Sequence, residues 1–211
     1  MTENPLIMSA RSAIRAELRA KRRALSEQEQ RSAQARLLNQ AADIIDHSNV
    51  MAAYLPNDGE ISPQTLIEYA WTNNTIVALP VLHPFHPQTL LFVRYTPESE
   101  IVKNKFGIPE PVLTTQNILP IHAINHIFMP LVGFDESGHR IGMGGGFYDR
   151  TLAPIIQSQR VGYLSLKISS PPTLIGLAHD VQMLDTIPCA QWDIPMSHIF
   201  TPQKCITIAD S

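Results

Sequence analysis

Four glycines fall within five positions of the segment GMGGGFYDR, Gly142 to Arg150, and two aromatic residues, an acid and a base follow at once. Glycine is conformationally costly in any regular element, so this density needs a reason. Upstream lies the apolar run HIFMPLVGFD (His126 to Asp135), then the turn ESGHR; downstream, a helical pattern runs from about Phe147 to Gln157. Strand, glycine-rich loop and helix together make a geometry that binds phosphate. Without a Cβ the backbone approaches an anion closely, the N–H groups converge on it, and the helix N-terminus adds partial positive charge. A tight turn with no ligand fits the same spacing. The loop does not match GxxxxGK[ST]. Gly142 and Gly144 fit the first two positions of GxGxxG, but the third falls on Phe147, and the loop lies late in the chain.

Around the loop stand further candidates. Asp149 falls at the start of the helix, either as a charge partner to the helix end or as a ligand to Mg²⁺ bridging phosphate oxygens. Phe147 and Tyr148 are either core residues or a flat wall for an aromatic ligand. Residues 11 to 36 hold eight of the sixteen Lys and Arg residues. Among them Arg11 and Arg15, four apart, share one side of a helix, as a solvated face or an anion contact would require. Two histidine pairs, His83 with His86 and His122 with His126, have metal-like spacing. Zinc needs three or four converging ligands, and no Cys or Glu falls at a matching spacing near them. Cys189 follows Pro188 with no adjacent base, so it does not read as a nucleophile.

These residues must be positioned by a fold. A first helix is expected from about Ser9 to Ala24, on the apolar spacing of Ile14, Leu18 and Leu25. SEQE, at Ser26 to Glu29, is a capping box that opens a second helix running to about Asp46. Strands are expected at Val50 to Pro56, Thr75 to Leu82, Leu90 to Tyr95, His126 to Asp135 and Arg160 to Leu166. A helix follows the Ser62 cap and Pro63. The C-terminal part reads as a strand or turn with Trp192 packed against the sheet, then a frayed tail. Strands interleaved with helices mean an α/β protein with a mostly parallel sheet and helices on both faces. The length of 211 residues fits one domain, with basic N-terminal helices at 9–46 and an α/β core at 50–200. A net charge of −3 does not suggest a nucleic-acid binder. Two cysteines in no CxxC pair fit a reducing compartment, and the N-terminus does not read as a signal peptide. No apolar run is long enough to cross a bilayer, so the expectation is a cytoplasmic protein.

FDESGHRIGMGGGFYDR (Phe134 to Arg150) resembles the signature of the 5-formyltetrahydrofolate cyclo-ligase family, also called methenyltetrahydrofolate synthetases. RSAIRAELRAKRRALSEQE is similar to the family's basic first helix, and YLPNDGEI (Tyr54 to Ile61) to its first strand and acidic loop. KFGIPEP (Lys105 to Pro111) and LAHDVQMLD (Leu177 to Asp185) resemble the later signatures. The resemblance spans nearly the whole chain. It implies a three-layer sandwich related to the sugar-phosphate isomerase and CoA-transferase folds. It also implies a reaction in which ATP and Mg²⁺ drive 5-formyltetrahydrofolate to 5,10-methenyltetrahydrofolate, releasing ADP and phosphate. Phosphorylation of the formyl oxygen makes a good leaving group, and N10 then closes the ring. By this resemblance Arg11, Arg15, Arg140, Gly142, Met143, Gly144, Gly145, Gly146, Phe147 and Tyr148 bind ATP. Leu55, Glu60 and Phe147 bind the folate, with Glu60 the better candidate for a polar contact to the pterin; Asp149 and Asp180 hold Mg²⁺. The family usually has lysine at Arg11. Some relatives carry a lysine within the loop where this chain has Gly145, so its role falls to backbone N–H groups or to Arg150, and Arg150 and Tyr148 are the catalytic candidates. A small-molecule substrate, no nucleic acid, no membrane, and a monomer or weak homo-oligomer complete the expectation. Two rivals stand beside it: a sugar-phosphate isomerase or CoA-transferase-like enzyme, and a non-catalytic folate or nucleotide binder.

Overall fold

The computed structural model describes residues 5–160, 171–190 and 192–208. The chain opens with α1 (Pro5–Arg23) and α2 (Glu27–Asp46), then β1 (Val50–Ala52), α3 (Gln64–Thr72), β2 (Ile76–Leu82) and β3 (Leu90–Tyr95). Three short strands follow, β4 (Ile101–Lys103), β5 (Pro109–Pro111) and β6 (Ile118–Leu119), then β7 (His126–Pro130), β8 (Gly133–Phe134) and β9 (Arg140–Ile141). The last elements are α4 (Phe147–Arg160), β10 (Thr173–Leu177), β11 (His198–Phe200) and β12 (Cys205–Thr207). The main sheet has the order β12-β11-β10-β7-β1-β2-β3-β6. Its centre, from β11 to β2, is parallel; β12, β3 and β6 pair antiparallel at the two edges.

Period-two alternation divides the core between the sheet's faces. Met51, Ala53, Val77, Leu79, Phe128, Ile175 and Phe200 pack on one side with Leu37, Ala41 and Ile45 of α2 and Leu66, Ile67 and Ala70 of α3. Val50, Ala52, Ala78, Ile127, Met129, Leu174 and Ile199 pack on the other with Leu152 of α4. Helices therefore cover both faces, as the alternating pattern of the sequence requires. A third cluster joins Leu18 of α1 to Val132, Ile141 and Ile187. There α1 comes so close that a Cβ on Gly133 would lie 2.4 Å from Leu18 Cδ1.

Several expectations need correction. The strand expected over His126 to Asp135 leaves the sheet at Pro130, which has no N–H to give. Gly133–Phe134 instead pairs with Arg140–Ile141 as a separate hairpin. The Asp135 carboxylate organises that hairpin's turn by accepting from the amides of Ser137 (3.0 Å) and His139 (3.1 Å). Trp192 does not pack against the sheet; it is 47% exposed. The tail beyond it forms β12 on the edge of β11. Of the strand expected over Arg160 to Leu166, residues 161–166 lie outside the described residues, and Arg160 ends α4.

The capping box is present as read. Ser26 Oγ accepts from the Glu29 amide, and the Glu29 carboxylate accepts from the Ser26 amide at 2.7 Å. Ser26→Ala is expected to cost about 1 kcal/mol of stability. This should appear as a lower urea midpoint with an unchanged slope.

Candidate active site

Along the parallel strands the order β2-β1-β7-β10-β11 reverses direction between β1 and β7. From β1 the chain moves outward to β2 on one side; from β7 it moves through α4 to β10 on the other. The loops therefore part at the carboxyl ends of β1 and β7, leaving a crevice where open α/β sheets place their ligands. A cavity of about 490 Å³ lies there, within the size range of small-molecule sites. Tyr54, Leu55 and Glu60 line it from the segment after β1, Leu79, Pro80 and Leu82 from β2, and Met129, Pro130 and Val132 from the end of β7. The glycine loop and the first turn of α4 close another side, and Asn104, Phe106, Ile108 and Glu110 of the β4–β5 hairpin close the mouth.

The acidic loop is held by arginines of α1. Asp58 takes a left-handed conformation, φ 54°, that places its carboxylate among Arg19, Arg22 and Arg23. Burial opposes its charge, but hydrogen bonds from Arg19, Arg23 and Arg22 outweigh burial and hold the carboxyl at about 2. Arg22 is fully buried. It donates from Nε to the Asp58 carbonyl (2.8 Å), from Nη2 to the Asp58 carboxylate (2.8 Å), and from Nη1 to the Leu131 carbonyl just beyond β7 (3.2 Å). Glu60 lies 3.8 Å from Arg22 Nη2 and accepts from the Asn57 amide at 3.0 Å. Burial in the apolar cavity nevertheless pushes the Glu60 carboxyl up to about 7, against the pull of Arg22. Gln182 completes the support, donating to the Leu131 and Val132 carbonyls at 2.6 and 3.0 Å.

The glycine loop is propped from behind by its own neighbours. Arg150 donates to the Gly145 carbonyl. Its guanidinium occupies the space a Cβ on Gly146 would need, 2.6 Å away, at a residue whose φ is +63°. A Cβ on Gly145 would meet the Phe147 ring at 2.6 Å. Phe147 in turn stacks edge-to-face with Phe106, ring centroids 6.0 Å apart. Arg15 reaches across from α1 and donates to the Gly142 carbonyl at 2.9 Å. Among the described residues, no acceptor takes the amide N–H of Gly144, Gly145 or Gly146. Those donors, with the N-terminus of the 14-residue α4 and three nearby arginines, suit an anion of high charge.

Leu55, Glu60, Arg140, Gly142, Met143, Gly145, Gly146, Phe147, Tyr148 and Asp149 all line the one cavity, with Gly144 between them on the loop. Burial pushes the Tyr148 hydroxyl well above the usual phenol range, so it stays protonated. Arg11 is placed elsewhere: its guanidinium makes a two-pronged pair with Asp193 at 2.6 and 3.1 Å and does not line the cavity. Asp149 accepts from Arg140 (2.8 Å) and from the Ile194 amide (3.2 Å). Asp180 accepts from the Thr201 hydroxyl and lies outside the cavity lining. Among the described residues, no group of three or more His, Cys, Asp or Glu is arranged to hold a metal ion. Of the expected metal pair, Asp149 lines the cavity and Asp180 does not, and each carboxylate has a different hydrogen-bond partner. Arg22 and Phe106 were missed as functional residues. The signals were an arginine inside a basic run and the phenylalanine of KFGIPEP, neither of which betrays its direction.

The low Asp58 value carries a stability prediction. A carboxyl held below its unfolded value of 3.8 contributes stability that is complete above 3.8 and lost as pH falls through about 2. Asp58→Asn should therefore be less stable at neutral pH and show a shallower loss of urea midpoint between about pH 4 and 2. Parallel acid profiles would show that the carboxylate contributes no net stability.

The family model for the 5-formyltetrahydrofolate cyclo-ligase family matches residues 7–202. A 5-formyltetrahydrofolate cyclo-ligase of Haemophilus influenzae is 40% identical over 191 residues, covering 90% of this chain and 96% of the relative. That of Escherichia coli K12 is 40% identical over 193 residues, covering 89% and 97%. The solution structure of the Aquifex aeolicus 5,10-methenyltetrahydrofolate synthetase superposes with a TM-score of 0.75 at 25% identity, covering 95% of this chain and 94% of that one. The Mycoplasma pneumoniae synthetase, at 21% identity and a TM-score of 0.68, shares the fold over 91% of this chain and 98% of its own. With the site's geometry and these matches together, the chain belongs to the 5-formyltetrahydrofolate cyclo-ligase family.

Proposed function

We propose that this protein converts 5-formyltetrahydrofolate to 5,10-methenyltetrahydrofolate at the expense of ATP, releasing ADP and phosphate. One observation carries the reading: a largely apolar cavity with the Glu60 carboxylate, 10% exposed, in its wall opens onto a loop in which, among the described residues, the amides of Gly144, Gly145 and Gly146 have no protein acceptor. The first half suits a flat heteroaromatic ring with adjacent N–H donors, such as a pterin. The second suits a triphosphate. Glu60 accepts from the ring's amide and amino N–H groups, Leu55, Phe147 and Tyr148 enclose it, and Phe106 covers the mouth. The amides of Gly144, Gly145 and Gly146, with Arg15 and Arg140, hold the phosphates. Arg150 keeps the loop in shape through the Gly145 carbonyl. Phosphoryl transfer needs chiefly this positioning and charge compensation.

Mg²⁺ fits only as a partner of the nucleotide. Among the described residues there is no carboxylate cage, so the ion would be held mainly by phosphate oxygens and water, with Asp149 the cavity carboxylate beside the loop. When bound it would neutralise phosphate charge. The working unit is taken as one cytoplasmic domain, monomeric or weakly associated; no described helix is long and apolar enough to cross a membrane.

Mixing protein, ATP, Mg²⁺ and 5-formyltetrahydrofolate should produce the conjugated methenyl chromophore, and omitting ATP should abolish it. Folate binding with no chromophore and no phosphate release would identify a non-catalytic binder instead. If Glu60 binds as a carboxylate, folate binding below about pH 7 must expel its proton, so affinity should fall about tenfold per pH unit there. Calorimetry in buffers of different ionisation heat reads the released proton directly, and Glu60→Gln should remove it. Arg15→Ala should weaken ATP more than folate; equal loss for both would mark Arg15 as structural.

A further inference from the structure

Arg22 is the most deeply buried charged side chain near the cavity, yet it does not line it. Its partners lie on three separate segments. It donates to the Asp58 carbonyl and carboxylate on the acidic loop and to the Leu131 carbonyl at the exit of β7; the Met143 sulfur on the glycine loop lies 3.8 Å from Nη2. Its Nη2 also stands 3.8 Å from Glu60. Such a fork cannot be copied by lysine, whose three donors sit on one compact nitrogen and cannot span groups on opposite edges of a guanidinium. We infer that Arg22 is a positioning residue: its buried guanidinium fixes the acidic loop against the glycine loop, and through its proximity to Glu60 it sets the charge with which that carboxyl meets the folate ring. The last clause rests on the function proposed above; the electrostatic coupling itself does not.

The groups facing Glu60 can be named for each element around it. From α1 come Arg22 and Arg19, which favour the carboxylate; from its own loop come Asp58, which opposes it, and the Asn57 amide, which favours it. Tyr54 just after β1 and Tyr148 on α4 are neutral phenols, each made harder to ionise chiefly by burial and further by Glu60. His179, behind Arg22, is held neutral chiefly by burial, down to about 4, so it adds no charge at neutral pH. The two nearest charges thus pull in opposite senses, and both can be removed singly.

The test is a carbon-13 NMR titration of the Glu60 carboxyl in the ligand-free protein, assigned by its loss in Glu60→Gln. In the parent protein the midpoint is expected near 7. Arg22→Met, which removes a cation 3.8 Å away, should move it up by about one pH unit or more, as ions within 4–6 Å commonly do, and Asp58→Asn should move it down. General destabilisation cannot produce opposite shifts. Unmoved midpoints in both variants would overturn the coupling. Should Arg22→Met fail to fold, Arg22→Gln, which keeps a donor and loses the charge, takes its place: an upward shift supports the coupling and no shift overturns it. Arg22→Lys separates charge from geometry. It should hold the midpoint near the parent's while raising the KM for nucleotide at least about tenfold, because donors on one nitrogen cannot span the segments the fork joins. A parental KM would overturn the positioning role. Because the titration uses neither ATP nor folate, absence of the methenyl chromophore would defeat the proposed reaction and leave this result standing.

Discussion

A guanidinium with no exposure to water would be ruinous if left without partners, and Arg22 is such a group. It is tolerable because its nitrogens find two carbonyls, a carboxylate and a thioether sulfur, drawn from segments far apart in sequence. The same arithmetic constrains those segments. If the acidic loop or the exit of β7 drifted, a buried charge would lose its compensation, a penalty of about 3–5 kcal/mol for a broken buried pair. The geometry around the cavity is therefore held by the cost of leaving one cation unsatisfied. Asp58 is the natural counterpart, since its carboxylate serves Arg19, Arg22 and Arg23 together and tolerates left-handed backbone to do so.

That constraint explains why a helix from the start of the chain borders a loop from its last third. The topology opens a crevice between β1 and β7 but supplies no floor for the loops that rise from it. α1 supplies it. Leu18 reaches the bare backbone of Gly133, Arg22 bonds the carbonyl of Leu131, and Arg15 bonds the carbonyl of Gly142. The three contacts lie one helical turn apart or nearly so along one side of α1, and follow the chain from β7 through the hairpin to the glycine loop. A helix read in isolation as a solvated basic face is, on that side, a template for the site.

What could be read from the sequence was what depends on local spacing. The glycine loop, the Ser26 capping box and the alternation of strands and helices all follow from residues within a few positions of one another, whereas Glu60 comes only from the family resemblance. What could not be read depended on direction. Arg11 and Arg15 share a helix side, yet Asp193, from near the other end of the chain, takes Arg11 away from the cavity. In a run of arginines no pattern marks Arg22 as the buried one. Asp149 suits a metal ligand by position, but Arg140, nine residues before it, and the Ile194 amide reach one of its oxygens. Phe106 belongs to a hairpin too short to announce itself by period, and Trp192 departs from the general rule for large aromatics by standing half exposed.

The arginines around the site divide by what neutralises them. The buried ones, Arg22 and Arg140, hold carboxylates at 2.8 Å, so neither can move without stranding a charge on each side. The half-buried Arg15 and exposed Arg150 donate to main-chain carbonyls of the glycine loop. A carbonyl carries no net charge and keeps a second lone pair for water, so giving up such a bond costs far less. In the proposed function Arg15 and Arg140 face the phosphates, and Arg150 holds the loop's shape through the Gly145 carbonyl. The basic helix does not make the chain basic overall: with a net charge of −3, the positive charge is placed where it is used and balanced elsewhere.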